Sequence, residues 1–358
     1  MADARRLLIL ADDFTGACDA AATFAATRQT LVLHGVPVAW PSDAEVLSVD
    51  LDLRERSNAH AEAVTREAAR HLCAARPEAD VLLKIDSTLR GPIAGMVAGA
   101  LAGSGRTLAV LAPAFPEQGR LFRDGRVYVN GVAGASLQEV LEIEHTAVLG
   151  AQHVVVDAES PTSLQTLARA WPHHPEWLLV GSGGLARQVA GGAPQPNEKT
   201  LRRGGGPILV VAGSPTPQTQ AQLERLRGLA TIIVAGGETR VPKGQVIVLC
   251  TPPAAARDTG EAAGALADIT QRLAAEFTPG ALVLTGGATA RFVCERLGAH
   301  GVRLEGELQP GVPFGTLHGG LWHGVQVVTK AGGFGTPDTL LDVVRALGVS
   351  SVAEPTHD

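Results

Sequence analysis

Rings are scarce in this chain. One tyrosine, four tryptophans and eight phenylalanines make up 4% of its 358 residues. A protein that holds single-stranded nucleic acid by stacking bases needs more rings and a basic surplus beside them. Here the formal charge is −6 and no Lys/Arg block stands out, so nucleic acid is not an expected partner. Only four cysteines occur, Cys18, Cys73, Cys250 and Cys294, and no two form a CxxC pair. That spacing suggests neither a zinc ribbon nor a disulfide scaffold and fits free thiols in a reducing cytoplasm. Cys18 lies close to a candidate site loop, but no adjacent histidine supports it as a nucleophile. The histidines show no metal-ligand spacing, so metal ligands stay unassigned. No apolar run approaches the length of a membrane span, and MADARRLLILADD lacks the apolar stretch of a signal peptide. Two nucleotide motifs are also missing. No GxxxxGKS or GxxxxGKT excludes a P-loop, and no GxGxxG opens a strand–helix unit, which weakens a dinucleotide reading.

What is present is apolar residues, at 45%, and glycine, at 42 residues. The first allows sizeable cores, and the second suggests many tight loops where backbone approaches something closely. Short Val/Ile/Leu runs end in polar or Gly-rich loops and lead into helical patterns. RRLLILADDFTGACDAAATFAATR, ADVLLKIDSTLRG, RTLAVLAPAFPEQG and EWLLVGSGGLARQVA share this form. Continuous apolar strands alternating with helices predict α/β structure, with a parallel sheet covered on both faces. The stretch from Gly191 to Pro207, GGAPQPNEKTLRRGGGP, breaks the pattern and reads as a linker. After it the form resumes with PILVVAGSPTPQTQAQLERLRG, a long helix from about Asp258 to Phe277, ALVLTGGATARFVCERLG and VQVVTKAGGFGTPDTLLDVVRALG. Two α/β domains with mainly parallel sheets are expected, 1–195 and 196–358, with the active site in the cleft between them.

In open parallel sheets, ligands sit at the carboxyl ends of strands. Asp12 and Asp13 follow the first strand, and Lys84, Asp86, Ser87 and Arg90 end another. If those strands are near neighbours, the groups share one crevice suited to a polar, anionic small molecule. Arginine grips a carboxylate with two parallel hydrogen bonds, and aspartate can accept a hydroxyl proton. The competing reading of DDFTG is helix capping; Thr15 is itself a good cap, which would free at least one aspartate. KIDSTLRG could be a solvated turn, yet five polar groups in seven residues exceed what a turn needs. VDLDLRERS carries Asp50, Asp52, Arg54 and Arg56 and reads equally well as a helix start with surface charges. Past Pro113 and Pro116, a hairpin is expected around Asp124-Gly125, with Arg120 and Asn130 within reach of the crevice.

The second half has three Gly-bearing loops after strands: AGSPTPQTQ, TGGATA and KAGGFGTPD. Backbone N–H groups of such loops at helix N-termini are natural anion cradles. Ser214, Thr216, Thr289 and Thr336 add hydroxyls. Lys330 is either a phosphate contact or a strand end in solvent.

Taken in order, ILADDFTGACDAA, KIDSTLRG, PAFPEQGR, VYVNGV, GSPTPQTQAQ, TGGATA, GELQPGVPFG and TKAGGFGTPD resemble the four-carbon acid sugar kinase family, from Leu8 to about Leu347. The resemblance implies a cytoplasmic, ATP-dependent kinase of threonate, erythronate or 3-oxo-tetronate, with ATP and Mg²⁺ as cofactors. The sugar acid and ATP are the implied partners, with neither nucleic acid nor membrane; a homodimer is allowed without being required. Carried over, the sugar-acid positions are Asp12, Asp13, Arg54, Lys84, Asp86, Ser87 and Arg90, with Asp12 and Asp86 as catalytic candidates. The ATP positions are Ser214, Thr216, Gly286, Gly287, Ala288, Thr289, Gly332 and Gly333. The chain departs from the family pattern at Pro92, at Leu51 and Leu53, at Ala288, and in the loop after Lys330. Competing readings are an NAD(P)-dependent sugar-acid oxidoreductase and a non-catalytic sugar-acid-binding protein.

Overall fold

The computed structural model describes residues 5–142, 153–192, 201–234, 245–251 and 259–349. The chain divides into two compact units, Met1–Gln195 and Pro196–Asp358. Residues 193–200 of the expected linker lie outside the described residues.

The first unit runs β1 (Leu7–Ala11), α1 (Phe14–Ala22), β2 (Thr30–His34), β3 (Val46–Asp50), α2 (Asn58–Ala75), β4 (Asp80–Lys84), α3 (Ile93–Ser104) and β5 (Leu108–Ala112). It continues with β6 (Arg120–Arg123), β7 (Arg126–Val129), β8 (Val132–Ser136), α4 (Leu137–Glu142), β9 (His153–Val155), α5 (Pro161–Ala170), β10 (Trp177–Gly181) and α6 (Gly183–Val189). Its main sheet has the order β2-β3-β1-β4-β10-β5-β9, and every pairing is parallel. All five residues of β1 are buried, as expected of a strand covered on both faces. From β1 the chain passes to β2 and β3 on one side, then crosses to β4 on the other. That reversal makes the carboxyl ends of β3, β1 and β4 the switch point where ligands bind in open sheets. The expected hairpin forms as β6–β7, within a small sheet that adds β8. Asp124 and Gly125 have φ of 50° and 71°, so both turn residues are left-handed, which suits a two-residue hairpin turn.

Not all of the glycine lies in loops. Along α3, Gly95, Gly99 and Gly103 recur every four residues and face the backbone of α2. A Cβ on them would lie 2.1 Å from Asn58 O, 2.4 Å from Glu62 O and 2.2 Å from Arg66 O. The stripe is what lets these two helices approach backbone to backbone.

The second unit runs β11 (Ile208–Ala212), α7 (Pro217–Leu226), β12 (Thr231–Val234), β13 (Val246–Cys250), α8 (Thr259–Ala274), β14 (Ala281–Thr285), α9 (Gly287–Arg296), β15 (Gly301–Glu307), β16 (Pro313–His318), β17 (Gln326–Lys330) and α10 (Thr339–Ala346). The sheet order is β12-β13-β11-β14-β17-β16-β15. The first five are parallel; β15 and β16, which the sequence pattern does not predict, join β17 in an antiparallel meander. Alternate residues of β11 (Ile208, Val210, Ala212) join Val248 and Val283 in a core under Leu223, Leu226, Leu340 and Val343. Again the order reverses, between β11 and β14, so the loops after these strands open at a switch point. No helix among the described residues is long and apolar enough to cross a membrane.

Candidate functional site

The parallel register sets the first cluster. Ala11 of β1 pairs with both Asp50 of β3 and Lys84 of β4, so the residues that follow emerge along one edge. The loop after β3 is then fastened to that edge. Leu51 N donates to Ala11 O at 3.0 Å, and Leu53 N and Arg54 N donate to Asp12 O at 3.0 and 3.2 Å. Leu51 and Leu53 are buried, which draws the residue that follows them inward. Arg54 therefore ends among three carboxylates rather than on the surface. Its Nε donates to Asp12 Oδ2, its Nη2 lies 2.6 Å from Asp13 Oδ2, and its Nη1 lies 3.6 Å from Asp86 Oδ1. Arg56 instead pairs with Asp52 at 3.1 Å, both half-exposed.

Each carboxylate has a different environment. Of the caps the sequence offered, an aspartate or Thr15, Asp13 is the N-cap of α1 and accepts from Gly16 N at 2.5 Å. A backbone N–H three residues on is the group a capping side chain can reach; Thr15 lies inside the first turn and donates to Asp13 Oδ1 at 3.2 Å. Burial works against the Asp13 carboxylate, but Arg54, Lys84 and the Gly16 N–H outweigh it and hold the pKa below its ordinary value. Asp12 is buried in the opposite balance. Desolvation raises its pKa, with Asp13 adding to the rise, and Arg54 and Lys84 only partly offset this. Among the described residues Asp12 Oδ1 has no hydrogen-bond partner.

Asp86 is wrapped by its own turn. Its Oδ2 accepts from Thr88 N at 3.1 Å, from Thr88 Oγ1, from Arg90 N at 3.4 Å and from Arg90 Nε at 2.9 Å. Its Oδ1 accepts from Arg90 Nη2 at 3.0 Å. Burial opposes ionisation, yet Arg54, Arg90 and Thr88 overcome it and push the pKa far below the usual carboxylate range. The turn needs Leu89 at φ 63°, a left-handed conformation that a leucine adopts only when its surroundings enforce it. Lys84 is buried, with Nζ donating to Ile85 O at 3.0 Å. A Cβ on Gly16 would lie 2.8 Å from that Nζ, so this glycine makes room for the lysine beside Asp13. Ser87 accepts from Arg120 Nη1 at 2.5 Å, which brings β6 to the site. Asn130 goes elsewhere, its N donating to Gly119 O at 2.8 Å.

In the second unit the three loops press on one another. A Cβ on Gly332 would lie 1.9 Å from Ser214 Oγ, and one on Gly213 would lie 2.2 Å from Thr289 Oγ1. Thr216 caps α7, accepting from Thr219 N at 3.3 Å, and donates to Gly332 O at 2.9 Å. The helix α9 starts at Gly287 after Gly286, whose φ is 101° and which offers no side-chain cap. Its first turn holds Gly287, Ala288 and Thr289 and no acid, so these N–H groups can take an anion. Lys330 is not a strand end in solvent. It is 1% exposed and donates to the carbonyls of Ala331, Gly332 and Phe334 at 2.8, 3.2 and 3.2 Å. Burial pulls its pKa down to about 7.

The structure thus gathers Asp12, Asp13, Arg54, Lys84, Asp86, Ser87 and Arg90 at one switch point, and Ser214, Thr216, Gly286, Gly287, Ala288, Thr289, Gly332 and Gly333 around another. Sequence reasoning missed Thr219 and Gln222, buried polar residues three apart on α7. Their only trace in the sequence is that helix's unusual run of Thr and Gln, PQTQAQ.

Residues 7–146 match a family model described as a sugar-binding N-terminal domain, and residues 250–340 match one described as a nucleotide-binding C-terminal domain. A D-threonate kinase of Bordetella bronchiseptica is 33% identical, over 95% of this chain and 96% of its own. A 3-oxo-tetronate kinase of Methylobacterium radiotolerans is 28% identical, over 92% and 96%. The crystal structure of a Haemophilus influenzae protein, 21% identical, superposes with a TM-score of 0.69 over 95% of this chain and 100% of its own, a likeness of fold. The protein is an enzyme of the phosphotransferase class. More particularly, the chain belongs to the four-carbon acid sugar kinase family.

Proposed function

We propose that this protein is an ATP-dependent kinase that phosphorylates a hydroxyl of a four-carbon sugar acid of the threonate, erythronate or 3-oxo-tetronate type. The observation that carries the reading is Asp12: a buried carboxylate at a switch point, its pKa raised, one oxygen held by Arg54 and the other without a partner among the described residues. A hydroxyl donating to that free oxygen would lose its proton to it as the bond to phosphorus forms. Asp86 is less suited to the task, because five donors and two arginines hold it ionised. In this reading it organises the turn that presents Arg90, whose side chain is 65% exposed and able to grip the substrate carboxylate while keeping its pair with Asp86. Arg54 and Lys84 keep the acidic cluster from repelling an anionic substrate.

The nucleotide's phosphates would lie against the N–H groups of Gly287, Ala288, Gly332 and Gly333, with the hydroxyls of Ser214 and Thr289 nearby. The three loops contain no carboxylate before Asp338. Mg²⁺ would therefore be held by phosphate oxygens and water, where it neutralises charge on the phosphoryl group in transfer. The buried thiols of Cys18, Cys250 and Cys294 fit a reducing, cytoplasmic setting.

The test is ADP release from ATP and Mg²⁺ with D- and L-threonate, D- and L-erythronate and 3-oxo-tetronates. Release that depends on one of these acids is expected. No release with any of them, together with a thermal shift by NADH or NADPH and none by ATP, would replace the kinase with the oxidoreductase.

A further inference from the structure

Where the carbonyls of residues 331–336 go decides where their N–H groups point. Five of the six carbonyls accept side-chain donors from within the unit. Ala331 O takes Lys330 Nζ at 2.8 Å. Gly332 O takes Lys330 Nζ at 3.2 Å, Thr216 Oγ1 at 2.9 Å and Thr219 Oγ1 at 3.0 Å. Phe334 O takes Lys330 Nζ at 3.2 Å and Gln222 Nε2 at 3.1 Å. Gly335 O takes Gln218 Nε2, and Thr336 O takes Gln222 Nε2 at 2.8 Å. The donors come from the end of β17 and one face of α7. Two N–H groups of the segment are used internally, Phe334 N on Ala331 O and Thr336 N on Thr339 Oγ1. Those of Gly332, Gly333 and Gly335 have no acceptor among the described residues. A peptide unit that turns its C=O inward turns its N–H outward, because the two are antiparallel across a planar bond.

We infer that Gln222 and Lys330 are positioning residues for the nucleotide. They fix the polarity of the 331–336 loop, carbonyls inward, so that the free N–H groups of Gly332 and Gly333 face the phosphates. The inference rests on the kinase reading above. Its physical content is a sign. Five carbonyl dipoles left to point outward would repel a triphosphate, whereas the same loop held inverted attracts it. Gln222 carries the most separable share. It is fully buried, it holds two of the five carbonyls through one amide, and it lies outside the loops that would touch the ligand. Its own Oε1 has no partner among the described residues, so the side chain is there for its donors.

The test substitutes Gln222→Met, which keeps length and apolar volume and removes both donors, and Gln222→Glu, which puts acceptors where donors stood. KM for ATP, kcat, KM for the sugar acid and the melting temperature without nucleotide are measured for each, beside Lys330→Met. Gln222→Met is expected to raise KM for ATP about tenfold, the factor for ~1.4 kcal/mol of lost binding. The sugar-acid KM should stay within about twofold, as no loop of the first unit is touched. Gln222→Glu should be worse than Gln222→Met. The thermal shift produced by ADP should shrink in the same order. Unchanged KM for ATP in Gln222→Met overturns the inference, as does a melting temperature lowered together with equal changes in both KM values, the signature of a merely structural residue. A wild-type enzyme that neither consumes nor binds ATP would overturn the kinase reading instead, so the two failures are distinct.

Discussion

Replacing Asp12 and Asp86 one at a time by asparagine should separate catalysis from architecture, because their charges act on the fold with opposite signs. The folded-state pKa of Asp12 lies above its ordinary value, chiefly through desolvation. Such a group contributes stability below its unfolded pKa and loses it as pH rises through the folded one, so at neutral pH its ionised form works against the fold. Asparagine removes that penalty, and Asp12→Asn should melt at the wild-type temperature or above. For Asp86 the pKa lies far below the ordinary value, so its contribution is complete at neutral pH and is lost only in strong acid. Asp86→Asn retains an oxygen for Thr88 and Arg90 but forfeits the charge, and its amide meets Arg90 Nη2, now 3.0 Å from Oδ1. Breaking a pair buried on both sides costs about 3–5 kcal/mol; Arg90 is 65% exposed, which lowers that cost, and charge-assisted bonds are about twice as strong as neutral ones. A loss of about 2–4 kcal/mol follows, roughly 5–15 °C in the melting temperature of a unit this size. Turnover should respond the other way: Asp12→Asn should lower kcat by about 10²–10⁴-fold, as expected for loss of a general base. Calorimetry and steady-state kinetics on the two variants give four readings. Near-normal kcat in Asp12→Asn, or unchanged melting with kcat abolished in Asp86→Asn, would refute the assignment and make Asp86 the base.

Four further outcomes can be checked. The acid limb of the pH–kcat profile should lie above the ordinary aspartate value, since Asp12 must be ionised to accept a proton. Asp13→Asn, which removes a neighbouring negative charge that raises Asp12, should move that limb to lower pH. Arg54→Met should move it up, because Arg54 is the main cation lowering Asp12. Gly99→Ala should destabilise the first unit with both KM values unchanged. Its Cβ would lie 2.4 Å from Glu62 O, and overpacking of about 1–3 kcal/mol outweighs the gain in helix propensity of up to ~1 kcal/mol.

Much of the architecture was legible where one residue type has one explanation. LLILA and the VLL of DVLLK are continuous apolar runs, and both lie in buried parallel strands. Asp124-Gly125 asked for two left-handed residues and has them. Legibility failed where the same letters serve two purposes. DLDLRERS has the alternation of a surface segment, but Leu51 and Leu53 are buried and fasten the loop to β1, so Arg54 points inward while Arg56 stays out. Nothing local to the sequence distinguishes the two arginines. Glycine was read as a marker of loops, and in α3 it marks helix contact instead. The polar face of α7 was invisible for a related reason. Thr219 and Gln222 look like solvent-facing residues until the loop after β17 is laid over them. Long-range hydrogen bonds leave no periodicity behind.

The two switch points solve opposite problems with the same backbone. At the turn after β4, a carboxylate sits inside and draws in the N–H groups of Thr88 and Arg90, so in the proposed function recognition would fall to side chains such as Arg90 and Asp12. Side chains can discriminate among hydroxyls and carboxylates of a small acid because each has its own position and charge. At the loop after β17, an ammonium, two amides and two hydroxyls sit inside and draw in the carbonyls, so in the proposed function recognition would fall to N–H groups. Backbone donors suit phosphates, which offer many equivalent oxygens and need no discrimination. An exchange of interior charge at either place should therefore do more than weaken the loop. It should reverse which half of the peptide faces the ligand, and Gln222→Glu is the smallest change that attempts it.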